Sequence, residues 1–213
     1  MWKKNECQQP KTESICEDAS AQAEEFLPEG KSFGQVEIIM GMFAFLMVLI
    51  AMIFGLKISQ FMITGAYVED ALAASNLASA LIDVEEYGRN YTICIRDPGE
   101  AFEIYREALS VNLQLDEEGK SFQRELLKGT VRILSYIVYN VKADQVEIFS
   151  FDGNGNLVDV QTGRIGLINT PDGVTVETTT IYSKVQFTVQ GIGEQYISVR
   201  KEKSVDIKRE HNE

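Results

Sequence analysis

Chemistry in this chain would have to come from a few residues. Asp152, Asn154 and Asn156 alternate like the first three oxygen ligands of a calcium loop. Leu157 stands where such a loop needs its glycine, and Gly163 where it needs a bidentate glutamate, so a plain turn is predicted and no metal. Gly191-Ile-Gly193 lacks a third glycine and a following helix, so it is not a phosphate loop. Asn90-Tyr-Thr92 fits the glycosylation sequon, a match that three residues make often by chance. The single histidine, His211, lies in a charged tail far from Cys7, Cys16 and Cys94, which leaves no Cys-His pair, Ser-His-Asp set or zinc quartet. Glu85, Glu86, Asp116, Glu117 and Glu118 fall at helix ends and in loops, where a solvated role is expected. No catalytic or cofactor-binding constellation emerges, and a non-enzyme is predicted.

Glu37 is the exception. It heads Ile38–Leu56, a run of 19 residues with no charge and no strongly polar side chain, closed by Lys57. At 1.5 Å rise per residue, such a helix reaches about 28 Å, near the thickness of a bilayer's hydrocarbon core. Backbone groups in lipid must be satisfied within the segment, so a transmembrane helix over 34–57 is predicted. A carboxylate at that boundary either stays in the interface or pairs with a basic group on another subunit. Both readings remain open on the residues alone.

The elements around this span follow from periodicity. Residues 1–33 read as a polar, mostly disordered tail or leader, in which 19–26 could form a short helix capped by Asp18. After Lys57, an apolar stripe through Ile58, Phe61, Met62, Ala66, Leu72, Ala73, Leu77, Ala80, Leu81 and Val84 continues the helix over 58–88. Small residues at 71, 73–75 and 78–80 let another helix or a sheet come close. Tyr87-Gly-Arg-Asn90 would end it, with Gly88 just past the last turn. Residues 89–209 then read as one domain. A short strand is predicted at 91–95, and a helix from Asp97-Pro98 to Leu113, cap followed by proline. A polar loop at 114–121 and a short helix at 122–128 come next. Strands are expected at 131–141, at 146–151 and 157–160 around Asp152-Gly-Asn-Gly-Asn156, and over 174–190 and 195–209 around Gly191–Gly193. The first part of 131–141 could instead extend the preceding helix. The fold class is α+β: a long N-terminal helix, half transmembrane, then helices packed on an antiparallel sheet.

Charge narrows the partners. The chain carries a net −12, with 4 basic and 7 acidic side chains in residues 1–34 and 15 basic and 24 acidic in residues 58–213. Nucleic acid needs a basic footprint and is excluded as a partner. Cys94 is separated from Cys7 and Cys16 by the span, so no disulfide scaffold is expected. Lys31 and Lys57 flank the span evenly, and charge does not orient it. No small-molecule ligand is indicated.

Phe33-Gly34-Gln35-Val36-Glu37, followed by an apolar helix, resembles the start of a type IV pilin-like protein. With Phe33 as first mature residue, Glu37 is the fifth, where that superfamily keeps its glutamate. A glycine shortly before a glutamate that heads an apolar helix is also similar to TadE-like proteins, the minor pilins of tight-adherence pili. The resemblance implies a bacterial, single-pass protein of the cell membrane, structural in a pilus or secretion assembly. Its partners would be the lipid bilayer and other pilin-like subunits met through the N-terminal helix, with the N-terminus cytoplasmic and the C-terminal domain outside. Phe33, Gly34 and Glu37 would be its assembly residues. The competing expectation is a membrane-anchored extracytoplasmic binding or sensory module that joins no filament.

Overall fold

A computed structural model describes residues 33–123, 126–191, 193 and 195–208, with Phe33 described by its backbone alone. The expected 19–26 helix, Cys7, Cys16 and His211 lie outside the described residues. The chain falls into two compact units, divided between Met52 and Ile53.

Helix α1 (Phe33–Ala78) runs without interruption through 46 residues. No proline or cap stops it until well past Lys57. Every residue from Gly34 to Leu56 is exposed. Among the described residues, α1 is the one helix long and apolar enough to cross a membrane. The first unit contributes its N-terminal part, through Met52.

The second unit is an α+β domain. Its sheet is fully antiparallel, in the order β3-β2-β1-β4-β5. The strands are β1 (Lys128–Lys142), β2 (Gln145–Asp152), β3 (Leu157–Arg164), β4 (Thr180–Gln190) and β5 (Tyr196–Asp206). On one face lie the C-terminal part of α1 and a later helix, α3 (Pro98–Asn112), whose N-cap is Asp97. Alternation along β4 sends Ile181, Val185, Phe187 and Val189 into this layer. Phe102, Tyr105, Tyr136 and Phe151 form its centre, with ring centroids of Tyr105 and Tyr136 4.8 Å apart. A smaller cluster of Tyr139, Val146, Val176 and Tyr182 lies on the opposite face, under the 165–179 segment.

Several elements depart from the sequence expectation. Helix α1 stops at Ala78 rather than continuing to 88. Residues 81–83 leave the helix to pair with 94–96: Asp83 N–H donates to the Cys94 carbonyl at 2.9 Å, and Arg96 N–H to the Leu81 carbonyl at 3.0 Å. Asp83 then starts a new helix, α2 (Val84–Asn90), by accepting from the N–H groups of Glu85 and Glu86. Gly88 therefore sits inside a helix, and Tyr91 takes the left-handed cap position with φ 55°.

The expected strand at 91–95 reduces to one bridge between Ile82 and Ile95. Buried Asn140 clamps Ile95 instead: its Oδ1 accepts the Ile95 N–H at 2.7 Å, and its Nδ2 donates to the Ile95 carbonyl at 2.9 Å. In place of a helix at 122–128, the described residues show a turn in which Leu127 N–H reaches the Gln123 carbonyl. Lys128 already belongs to β1, so 131–141 is strand throughout. The run from Val174 splits as well. Pro171-Asp-Gly173 turns the chain back, Thr170 N–H donates to the Val174 carbonyl at 2.8 Å, and β4 begins only at Thr180.

The helical stripe that docks on the sheet also differs. The buried positions are Thr64, Val68, Ala71, Leu72, Ser75, Asn76 and Ser79, whereas Ile58, Met62, Leu77 and Val84 are exposed. Small residues do allow the close approach: Ser79 and Tyr136 share a hydrogen bond at 2.9 Å, and Asn76 Nδ2 reaches the Lys203 carbonyl of β5 at 3.0 Å. Ser75 accepts from Asn112 of α3, whose carbonyl takes the Tyr67 hydroxyl.

Candidate functional site

Glu37 lies one turn into α1. It is exposed, and among the described residues it has no hydrogen bond or ion pair. Gly34 is exposed beside it, with open space around its Cα.

The spacing around Glu37 is informative. Gly34, Glu37, Gly41, Ala44, Val48, Ala51 and Gly55 recur at alternating steps of three and four. On an α-helix this pattern makes one narrow seam. Apart from Glu37 and Val48, the seam is glycine and alanine, while Gln35, Val36 and then phenylalanine, leucine, isoleucine and methionine occupy the rest of the surface. Small residues in lipid let two backbones approach and gain close packing. The sequence reading sought small residues only after Lys57 and missed this seam.

The other candidates resolve into structure. Asp152 closes the β2–β3 turn on itself: Oδ1 accepts from the N–H groups of Asn154 and Asn156, each at 2.9 Å, and Oδ2 from the Asn156 side chain. The Asn156 side-chain hydrogen bond, followed by its backbone N–H, holds the Asp152 carboxyl below the usual range. Gly155 takes φ 87°, and a Cβ there would stand 2.6 Å from the Phe102 ring, so the turn is built around its glycine. Asn90 is exposed at the end of α2, with its amide on Glu86 at 2.8 Å. Cys94 is buried, and burial pushes its thiol up, which makes it an inert thiol at neutral pH. Glu85 pairs with Arg89 on the helix surface. Asp116 caps its own loop by accepting from the N–H groups of Glu118 and Lys120.

Two charged groupings tie the second unit together. Glu69 of α1 meets Lys203 at 2.8 Å and Lys201 at 3.4 Å on β5. Hydrogen bonds from Lys203 and Lys201 hold its carboxyl below the ordinary value of 4.5. Asp172 receives the Ser204 hydroxyl at 2.6 Å and the Ser204 N–H at 3.1 Å, strapping the 165–179 segment onto β5. Burial alone would raise Asp172; the hydrogen bonds from Ser204 and Thr170 outweigh it.

An open cleft of about 1140 Å³ lies between α3 and the start of β1, bordered by Glu103, Glu107, Asp116, Arg132, Leu134 and Asp152. Its carboxylates are solvated, and the Asp116 and Asp152 groups are already engaged by their own turns. Among the described residues that border it, none pairs a nucleophile with a base.

The chain matches no protein-family model, no curated protein and no solved structure.

Proposed function

We propose that this protein is a pilin-like, TadE-like structural subunit: a single-pass membrane protein that assembles through α1, with residues 58–213 outside the cytoplasm. The observation that carries the reading is the coincidence of Glu37 with the glycine-alanine seam. A lone anchor needs only an apolar surface. A seam of small residues bearing the one carboxylate of the run suits a helix that packs against another and offers a charge to it. The seam also favours assembly over the anchored binding module, whose helix would need no such stripe. The second unit supplies a packed α+β body for such a subunit. The resemblance of residues 33–37 to pilin-like starts points the same way.

Glu37→Gln tests it by keeping shape and removing charge. Within a helix bundle, losing one partner of a buried charge pair costs about 3–5 kcal/mol. The mutant is expected to insert normally yet lose most of its crosslinking to partner subunits in membranes. Equal crosslinked yields at equal expression would reduce Glu37 to a boundary charge and remove the reading's main support.

A further inference from the structure

We infer that the end of the β4–β5 hairpin is a second membrane contact, in which Tyr196 and Ile197 enter the lipid headgroup layer and Lys128, Arg132 and Arg200 face its phosphates. The inference rests on α1 being the membrane span and goes beyond it, because the occupant is lipid and the residues belong to the sheet.

The level of the hairpin along α1 is set by contacts within the second unit. Asn76 holds the Lys203 carbonyl, Glu69 holds the Lys203 and Lys201 amines, and the Lys201 side chain passes 3.6 Å from the Cβ position of Gly65. Higher numbers on β5 thus match higher numbers on the helix. From Lys201 to Tyr196 the strand drops five residues, about 17 Å at 3.4 Å each. At 1.5 Å per residue the same distance is about 11 helical residues. Counted from Gly65 and Glu69, and from Asn76 by way of Lys203, Tyr196 reaches the level of about residues 54–60, around Lys57 where the apolar run ends.

The residues at that level suit lipid. Tyr196 is 67% exposed and Ile197 is 46% exposed, and they stand on opposite faces of the sheet. A tyrosine with an aliphatic neighbour is the pair that bilayer interfaces favour. Bases follow directly above. Lys128 pairs with Thr188, and Thr188 with Ser198, one two-residue step from Tyr196. Arg132 pairs with Gln186, and Gln186 with Arg200, one step further. Among the described residues none of these three bases has a carboxylate within ion-pair distance, in a chain of net charge −12. Three cations with no carboxylate partner among the described residues, gathered at the end of an acidic domain nearest the bilayer, complement anionic headgroups. The sequence alone hides them, because they come from two strands far apart in the chain.

The test uses the full chain in nanodiscs of phosphatidylcholine with and without phosphatidylglycerol, some carrying acyl chains brominated near the headgroup. Trp2→Phe removes the only tryptophan. Single tryptophans are then placed by Tyr196→Trp, by Phe45→Trp in the apolar run, and by Leu167→Trp, which is exposed on the 165–179 segment. Brominated lipid is expected to quench the first two and leave the third bright. Adding Lys128→Gln and Arg200→Gln should weaken the quenching at position 196 in phosphatidylglycerol discs, by about fivefold in bound population for each base removed. It should do so without changing the quenching at position 45. Quenching at 45 with none at 196 would overturn this inference and leave the span intact, as would insensitivity to the two bases. No quenching at either position would overturn both.

Discussion

The two stretches of α1 follow opposite rules. Between residues 34 and 56 every side chain is exposed, and all but Glu37 and Gln35 are apolar or glycine. Between 64 and 79 the exposed surface includes polar residues, and the buried stripe itself carries Thr64, Ser75, Asn76 and Ser79. The difference lies in what each stretch meets. Against the sheet and α3, Ser79, Ser75 and the Asn76 Nδ2 find partners in Tyr136, Asn112 and the Lys203 carbonyl, while Asn76 Oδ1 has none among the described residues. Lipid offers none, and the first stretch confines its polar side chains to Gln35 and Glu37 at its head. A buried stripe in water can thus be partly polar, and an exposed surface can be wholly apolar.

The sharpest contrast is between equivalent leucines. Leu72→Ala is expected to destabilise the second unit by about 2–5 kcal/mol, because Leu72 is fully buried in a packed core. Leu46→Ala should leave its unfolding transition in detergent unchanged. Equal shifts for the two would erase the distinction.

Next in size is Asn140→Ala. It leaves the Ile95 N–H and carbonyl without their partner, and unpaired buried groups cost about 1–3 kcal/mol each. Hydrogen exchange at Ile95 should speed up with the loss of stability. Unchanged protection would mean that the bridge to Ile82 suffices to hold the segment.

Ser79→Ala removes the partner of the buried Tyr136 hydroxyl, at a cost of about 1–3 kcal/mol in urea unfolding. Tyr136→Phe together with Ser79→Ala should recover part of that, since removing both partners leaves nothing unpaired. A double mutant no more stable than Ser79→Ala would contradict the pairing.

The smallest effect concerns pH. The Glu69 carboxyl is lowered in the folded state, so its contribution is present above the unfolded value and fades as pH falls through the lower, folded one. Its side chain is 39% exposed, which limits the contribution to below about 1 kcal/mol after solvent screening. Glu69→Gln should therefore lose that contribution at neutral pH and above, which narrows the stability gap between neutral pH and the acid side of 4.5. A mutant that keeps the full acid sensitivity of the parent would assign it elsewhere.

These contrasts also explain what was legible in the sequence. The apolar run, the Asp97-Pro98 cap and the 152–156 turn are local, and composition or a few side chains decide them. The end of α1 is not local. The stripe of small residues continues through Ala80, and what stops the helix is pairing of 81–83 with 94–96. Asp83, followed by Glu85 and Glu86, was a readable cap, masked by that continuing stripe. The start of β4 is not local either: alternation begins at Val174, but 174–179 belong to the segment that folds back over the sheet, and the strand begins only at Thr180. The identity of the buried helical face depended on hydroxyl and amide partners from β1, β5 and α3, which no periodicity of apolar residues reveals. Around Glu37, the seam was written in glycines and alanines that hydropathy counts as merely apolar.

The most direct test of the assembly seam is photo-crosslinking from within the membrane. A diazirine-bearing residue at Val48, on the seam, is compared with one at Leu46, on the far side of the helix. Each is made with and without Gly41→Leu, which fills the groove one heptad away. The account predicts protein adducts from position 48, lipid adducts from position 46, and loss of the protein adducts when Gly41 is filled. Equal protein adducts from both positions, or adducts from 48 indifferent to Gly41→Leu, would contradict a seam that organises assembly.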